Sequence, residues 1–79
     1  MQKETPKILL SYIIERPGDS NSRERAQILA DTIKEAAAIF EEKKDILRRM
    51  GYIWTQSTVR EWSPKDDNYV VKGSLDELL

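Results

Sequence analysis

Seventy-nine residues make one small domain. A chain this short buries only about 60% of the surface that its unfolded form exposes, so its core is marginal and a partner can complete it. Thirteen Lys and Arg against fourteen Asp and Glu leave a formal net charge of -1, which gives no global attraction to phosphate; nucleic-acid contact then needs a local patch. Cysteine and histidine are both absent. That excludes a disulfide framework, a thiolate nucleophile, the usual zinc ligands and a Ser-His-Asp relay.

No apolar run approaches a membrane span. The opening "MQKETPKILLSYIIERPG" has no basic segment leading into a long apolar region and no small-residue cleavage site after it, so the expectation is a cytoplasmic, unprocessed chain with no membrane partner. The segment "TPKILLSYIIERPG" fits two element types. As a strand it is apolar on both faces, with Ile8, Leu10, Tyr12 and Ile14 on one and Leu9 and Ile13 on the other, as in a central strand. As a helix it starts with a Thr5 cap and Pro6 at the first turn, keeps Lys7, Ser11 and Glu15 as a polar stripe, and stops at Pro17-Gly18. The local capping signals favour the helix.

"GDSNS" is a loop, and Asn21 with Glu24 has the spacing of a capping box. No proline or glycine interrupts Ser22 to Met50. Ala26, Leu29, Ile33, Ala36, Phe40, Lys43, Leu47 and Met50 recur at alternating three- and four-residue steps, a helical stripe broken only by Lys43. Arg48 and Arg49 complement a helix C-terminus, and Gly51 is placed for a left-handed cap that folds Tyr52 back onto Leu47. Unbroken, this helix is about 43 Å long, whereas a compact domain of this size is about 30 Å across. Either it overhangs towards a partner chain or it breaks near "TIKEAAA"; residues 34–38 are compatible with a turn or with continuity.

Tyr52 to Trp62 is rich in β-branched and aromatic residues, "SPKDDN" is a turn cluster, and "YVVK" is a second strand closed by Gly73. The turn sets Trp62 opposite Tyr69 and Arg60 beside Val71. "SLDE" at Ser74 to Glu77 is a capping box for one short terminal turn.

Helix, helix, helix, hairpin: with "ILLSYIIERPG", "ILADTI", "ILRRMGYI" and "DNYVVKG" in that order, the chain resembles a winged helix-turn-helix domain. The resemblance covers nearly the whole chain and implies an α+β, winged-helix-like fold with helices followed by a C-terminal β-hairpin. The alternative is one long helix packed on a small antiparallel sheet. In the winged-helix family the third helix enters the DNA major groove and the wing touches the backbone. The resemblance therefore implies DNA binding through Lys44, Arg48, Arg49, Arg60 and Lys65, although the acidic Glu41, Glu42 and Asp45 share the outward helix face.

Catalysis has little to work with. Glu41-Glu42 and Asp66-Asp67 read as a solvated face and a turn rather than a metal or acid-base pair. Ser11, Ser57 and Thr58 have no base to activate them. The chain is therefore expected to be a non-catalytic regulator without cofactor or metal. Tyr52 and Trp54 read as core. Trp62, beside a polar turn, reads either as core or as an exposed anchor for a protein target. Three partners stay open: DNA, a larger protein bound by an inhibitor or adaptor, and a second copy of the chain.

Overall fold

The structure is a computed structural model and describes residues 5–78. Its first element is not a helix but the strand β1 (Ile8–Arg16). A cap at Thr5 is worth about 1 kcal/mol. The strand instead buries Ile8, Leu10 and Tyr12 together on one face, and pleated backbone accommodates the three isoleucines of the segment without loss of rotamer freedom. Tertiary burial outweighs the local signal.

A two-residue turn at Pro17-Gly18, with Gly18 at φ 81°, leads into β2 (Asp19–Ala30). Proline followed by a residue with positive φ meets the demand of a type II turn. The two strands pair antiparallel from Ile8 opposite Ala30 to Ile14 opposite Glu24. At the tip, the Arg16 N–H donates to Ser22 Oγ (2.7 Å), and that hydroxyl donates to the Asp19 carbonyl (2.7 Å).

Residues 19–30 are thus extended, where the sequence predicts a loop to Ser22 and a helix beyond it. The true period there is two: Ala26, Ile28 and Ala30 point to the core, and Leu29 is 53% exposed on the other side. The helix α1 (Ile33–Arg49) begins only after Thr32, whose Oγ1 accepts the Glu35 N–H at 3.0 Å. Ala36 and Phe40 are its buried residues, while Lys43 and Met50, expected on the inward stripe, are exposed. Its C-terminus closes as a Schellman motif: Tyr52 N–H donates to the Leu47 carbonyl (2.9 Å) and Gly51 N–H to that of Arg48 (3.2 Å), with Gly51 at φ 81°.

The chain then crosses to the other side of β1. There β3 (Ile53–Ser63) pairs antiparallel with it, β4 (Asn68–Gly73) pairs antiparallel with β3, and the single turn α2 (Leu75–Leu78) follows. The sheet order is β2-β1-β3-β4. This overturns the winged-helix-like expectation: two of the three helices are strands, and the hairpin that sets Trp62 opposite Tyr69 is half of a four-stranded sheet rather than a wing. The alternative of one long helix on a small sheet fails as well, because α1 has 17 residues and the sheet is the larger part. Overhang is not needed to resolve the length conflict. The long axis of 42 Å, against a short one of 21 Å, follows from the β1-β2 hairpin, which at about 3.4 Å per residue is longer than the helix.

The core lies between α1 and one sheet face. Leu10 and Val59, opposite each other, are fully buried. Tyr12 and Phe40 meet with ring centroids 4.6 Å apart, and burial pushes the Tyr12 hydroxyl above the usual phenol range. Leu75 of α2 completes the cluster.

Two neighbours on β2 separate strand from helix experimentally. Ile28→Ala is expected to cost about 2–4 kcal/mol and Leu29→Ala under about 1 kcal/mol by urea unfolding; equal losses would contradict the alternation. At Gly51 nothing lies within 4 Å of an added Cβ, so Gly51→Ala tests backbone conformation alone. Its expected loss is about 1–2 kcal/mol, with Gly51→Asn milder.

Candidate functional site

α1 and α2 pack on one face of the sheet, and among the described residues no helix or strand lies over the other. The pairing registers set the side chains of that open face in rows. Leu29, Leu9, Arg60 and Val71 run across all four strands; Gln27, Ser11 and Thr58 form the next row; Arg25, Ile13 and Thr55 form the third. Above them Trp62 and Tyr69 are cross-strand partners, rings edge-on at 5.2 Å and 69°. The Tyr69 hydroxyl donates to the Pro6 carbonyl at 2.8 Å, fixing that corner to the segment entering β1.

Arg60 is anchored across strands. Its Nη1 donates to Ser11 Oγ at 2.9 Å, and Ser11 is only 7% exposed, the one buried polar residue among the described residues. Beside this pair the sheet is irregular. Ser11 faces Thr58 but Ile13 faces Thr55, so β3 carries an extra residue there, and Gln56 takes φ 57°. The bulge opens a cleft of about 210 Å³ whose walls include Arg25, Arg60, Thr58 and Gln56. Neither arginine has a carboxylate within ion-pair distance among the described residues.

The five cations expected to hold DNA do not share a surface. On α1, Lys44 Nζ lies 2.8 Å from Glu41 and 4.6 Å from the Phe40 ring centre, and this hydrogen bond and charge hold the Glu41 carboxyl below its usual range. Arg49 pairs with Asp45 at 3.1 Å. Arg48 lies 3.9 Å from the same carboxylate and 5.4 Å from the Trp54 ring centre. Arg60 is on the opposite side of the sheet, and Lys65 is exposed in the turn between β3 and β4. Trp62 is half-buried on the open face, while Trp54 packs against the core.

Ser11, Arg25, Gln56 and Thr58 escape sequence reasoning. They come from three strands and meet only through register, and Arg25 sits in a stretch whose spacing imitates a helix. Among the described residues no three acidic side chains are grouped to hold a metal ion, and no helix is long and apolar enough to cross a membrane.

Removing the hydroxyl that anchors Arg60 tests the site's rigidity. Ser11→Ala is expected to lower stability by about 0.5–1.5 kcal/mol, with broadened or averaged Arg60 side-chain resonances in NMR. An unchanged Arg60 signal would show that the guanidinium is held by something else.

Comparison with known protein families, with curated proteins and with solved structures finds no match to this chain.

Proposed function

We propose that this chain is a non-catalytic binding module that docks on an acidic protein surface with the open face of its sheet. One observation carries this: a sheet covered on one side only presents Leu29 and Val71, with the half-buried Leu9 and Ile13 between them, around two arginines that lack countercharge. Apolar side chains interleaved with uncompensated guanidinium groups suit a protein partner, because arginine and aromatic residues concentrate binding energy at interface centres.

Charge decides among occupants. A second copy stacked face to face would bring Arg25 and Arg60 against their own equivalents, which is repulsive. Duplex DNA needs several cations tracking one phosphate path, and the helix cations are occupied by Glu41 and Asp45 on the other side of the sheet. An acidic protein patch satisfies both the charge and the aliphatic rows. At about 4.8 Å between strands and 3.3 Å per residue the face measures about 500 Å². That is below the roughly 800 Å² per partner of a standard interface and suits a transient association.

The test places a photo-crosslinking amino acid at residue 29, on the open face, and separately at residue 43, on the outward side of α1. The expected result is an adduct from position 29 only, to a partner region that mass spectrometry shows to contain Asp or Glu. Arg60→Glu should abolish it, and Trp62→Ala should weaken binding about tenfold or more with an unchanged circular dichroism spectrum. An adduct from position 43 alone would overturn the proposal. So would salt-steep binding to a labelled random DNA duplex, or a concentration-dependent dimer mass in light scattering with no adduct to another protein.

A further inference from the structure

We infer that the cleft at the β3 bulge is a subsite for a phosphate monoester dianion. The inference rests on the open face being the working surface of the protein and specifies what one part of it holds.

The cleft is built from donors. Arg25 and Arg60 bring two guanidinium groups, Ser11 a hydroxyl and Gln56 a carboxamide; Tyr12 and Ile13 complete the wall with Thr58, whose hydroxyl donates to the Gln56 carbonyl at 3.4 Å. No carboxylate lines it. On this face the nearest acidic position in register is Glu15, opposite Ile53 and beyond the Arg25-Ile13-Thr55 row. Two positive charges without a local counterion match a dianion, and forked guanidinium donors match oxygens spread over a tetrahedron. A single carboxylate would leave one guanidinium without a full countercharge.

The site is also preorganised. The bond from Arg60 Nη1 to the buried Ser11 hydroxyl, 2.9 Å long, fixes one guanidinium edge and leaves its other N–H groups for a ligand. Gln56, a non-glycine residue at φ 57°, occupies a left-handed backbone region that L side chains rarely adopt and that concentrates at binding sites. The bulge it belongs to brings Gln56 and Thr58 to the cleft wall, the common use of a bulge beside a site. A volume of about 210 Å³ leaves room for the atom that carries the phosphate. Two carriers share this chemistry: a phosphorylated side chain and a nucleoside monophosphate.

The experiment needs no partner. The isotope-labelled full chain is titrated at constant ionic strength and about pH 8, where a phosphate monoester is dianionic. The probes are inorganic phosphate, acetate, a short phosphoserine peptide and a nucleoside monophosphate. Expected are saturable shifts of the Ser11, Gln56 and Thr58 amides and of the Arg60 side-chain N–H, with phosphate tighter than acetate. Arg25 is exposed on an edge strand, so Arg25→Gln should keep the fold and weaken phosphate about tenfold or more. Arg60→Lys, which retains charge but not the fork, should weaken it as well. Tighter binding of the peptide or of the nucleotide identifies the carrier, and either supports the subsite. Acetate binding as tightly as phosphate would overturn the inference, as would unsaturable shifts or an unaltered response in a folded Arg25→Gln protein. Crosslinking at residue 29 with no phosphate response would overturn this subsite while leaving the docking face in place.

Discussion

The structure depends on one shortage: a single helix must cover a four-stranded sheet. An α-helix is about 10 Å across with its side chains, and four strands at 4.8 Å spacing need more than that. α1 reaches β2, β1 and β3. The remaining gap is filled by Leu75 from a helix of only four residues, which is why the chain turns sharply at Gly73 and returns to the core. Among the described residues no helix or strand covers the second face. That face is tolerable in water because Ser11, Gln27, Thr55 and Thr58 alternate with its aliphatic residues, and because Leu9 and Ile13, on the central strand, are shielded by their neighbours.

The same division separates the charges. On α1 the acids and bases satisfy one another at short sequence distance, Glu41 with Lys44 and Asp45 with Arg49. Exposed pairs of this kind contribute little stability, but they neutralise the helix surface. Glu61 and Lys72 do the same between β3 and β4 at 3.4 Å. The open face keeps Arg25 and Arg60 without such compensation. A chain whose formal charge is -1 therefore presents a cationic surface on one side, a property that no sum over its composition reveals. Total charge limits long-range attraction; local pairing decides which surface remains charged.

How much of this was legible in the sequence depends on how local each signal is. The Arg48-Arg49-Met50-Gly51-Tyr52 ending is legible because a Schellman cap is specified within one helical turn, and the structure forms it. The pairing of Trp62 with Tyr69 is legible because a short turn fixes it. The first thirty residues are not, because Thr5-Pro6 imitates a helix start while the strand is stabilised by contacts with residues 26–30 and 54–61. The misreading of β2 has a specific source: Ala26 and Leu29 extend the α1 stripe backwards by coincidence. Thr32 and Glu35 carry the true capping spacing, and a break there, with alternation before it, was available to be read. The cleft was out of reach, since its residues are brought together by the register of three strands.

The two tryptophans show how one inserted residue divides this sheet's work. Trp54 and Trp62 belong to the same strand, and an even separation in a regular strand puts both on one face. Yet Trp54 pairs with Ile14 on the helix side, whereas Trp62 belongs with Arg60 and Thr58 on the open side. The extra residue between Thr55 and Thr58 reverses the alternation. Before the bulge, β3 packs its large aromatic ring, half-buried, against the edge of the core, with the exposed Arg48 over it at 5.4 Å. After it, the strand sends Val59 inward and Trp62 outward. The bulge thus fixes which tryptophan stabilises the fold and which is available to a partner, and it opens the cleft between them. Side-chain alternation read from "IWTQSTVREW" cannot register it, because Gln56 and Ser57 are compatible with either face; the constraint comes from β1, whose unbroken apolar pattern demands Val59 opposite Leu10 and Trp54 opposite Ile14 at once.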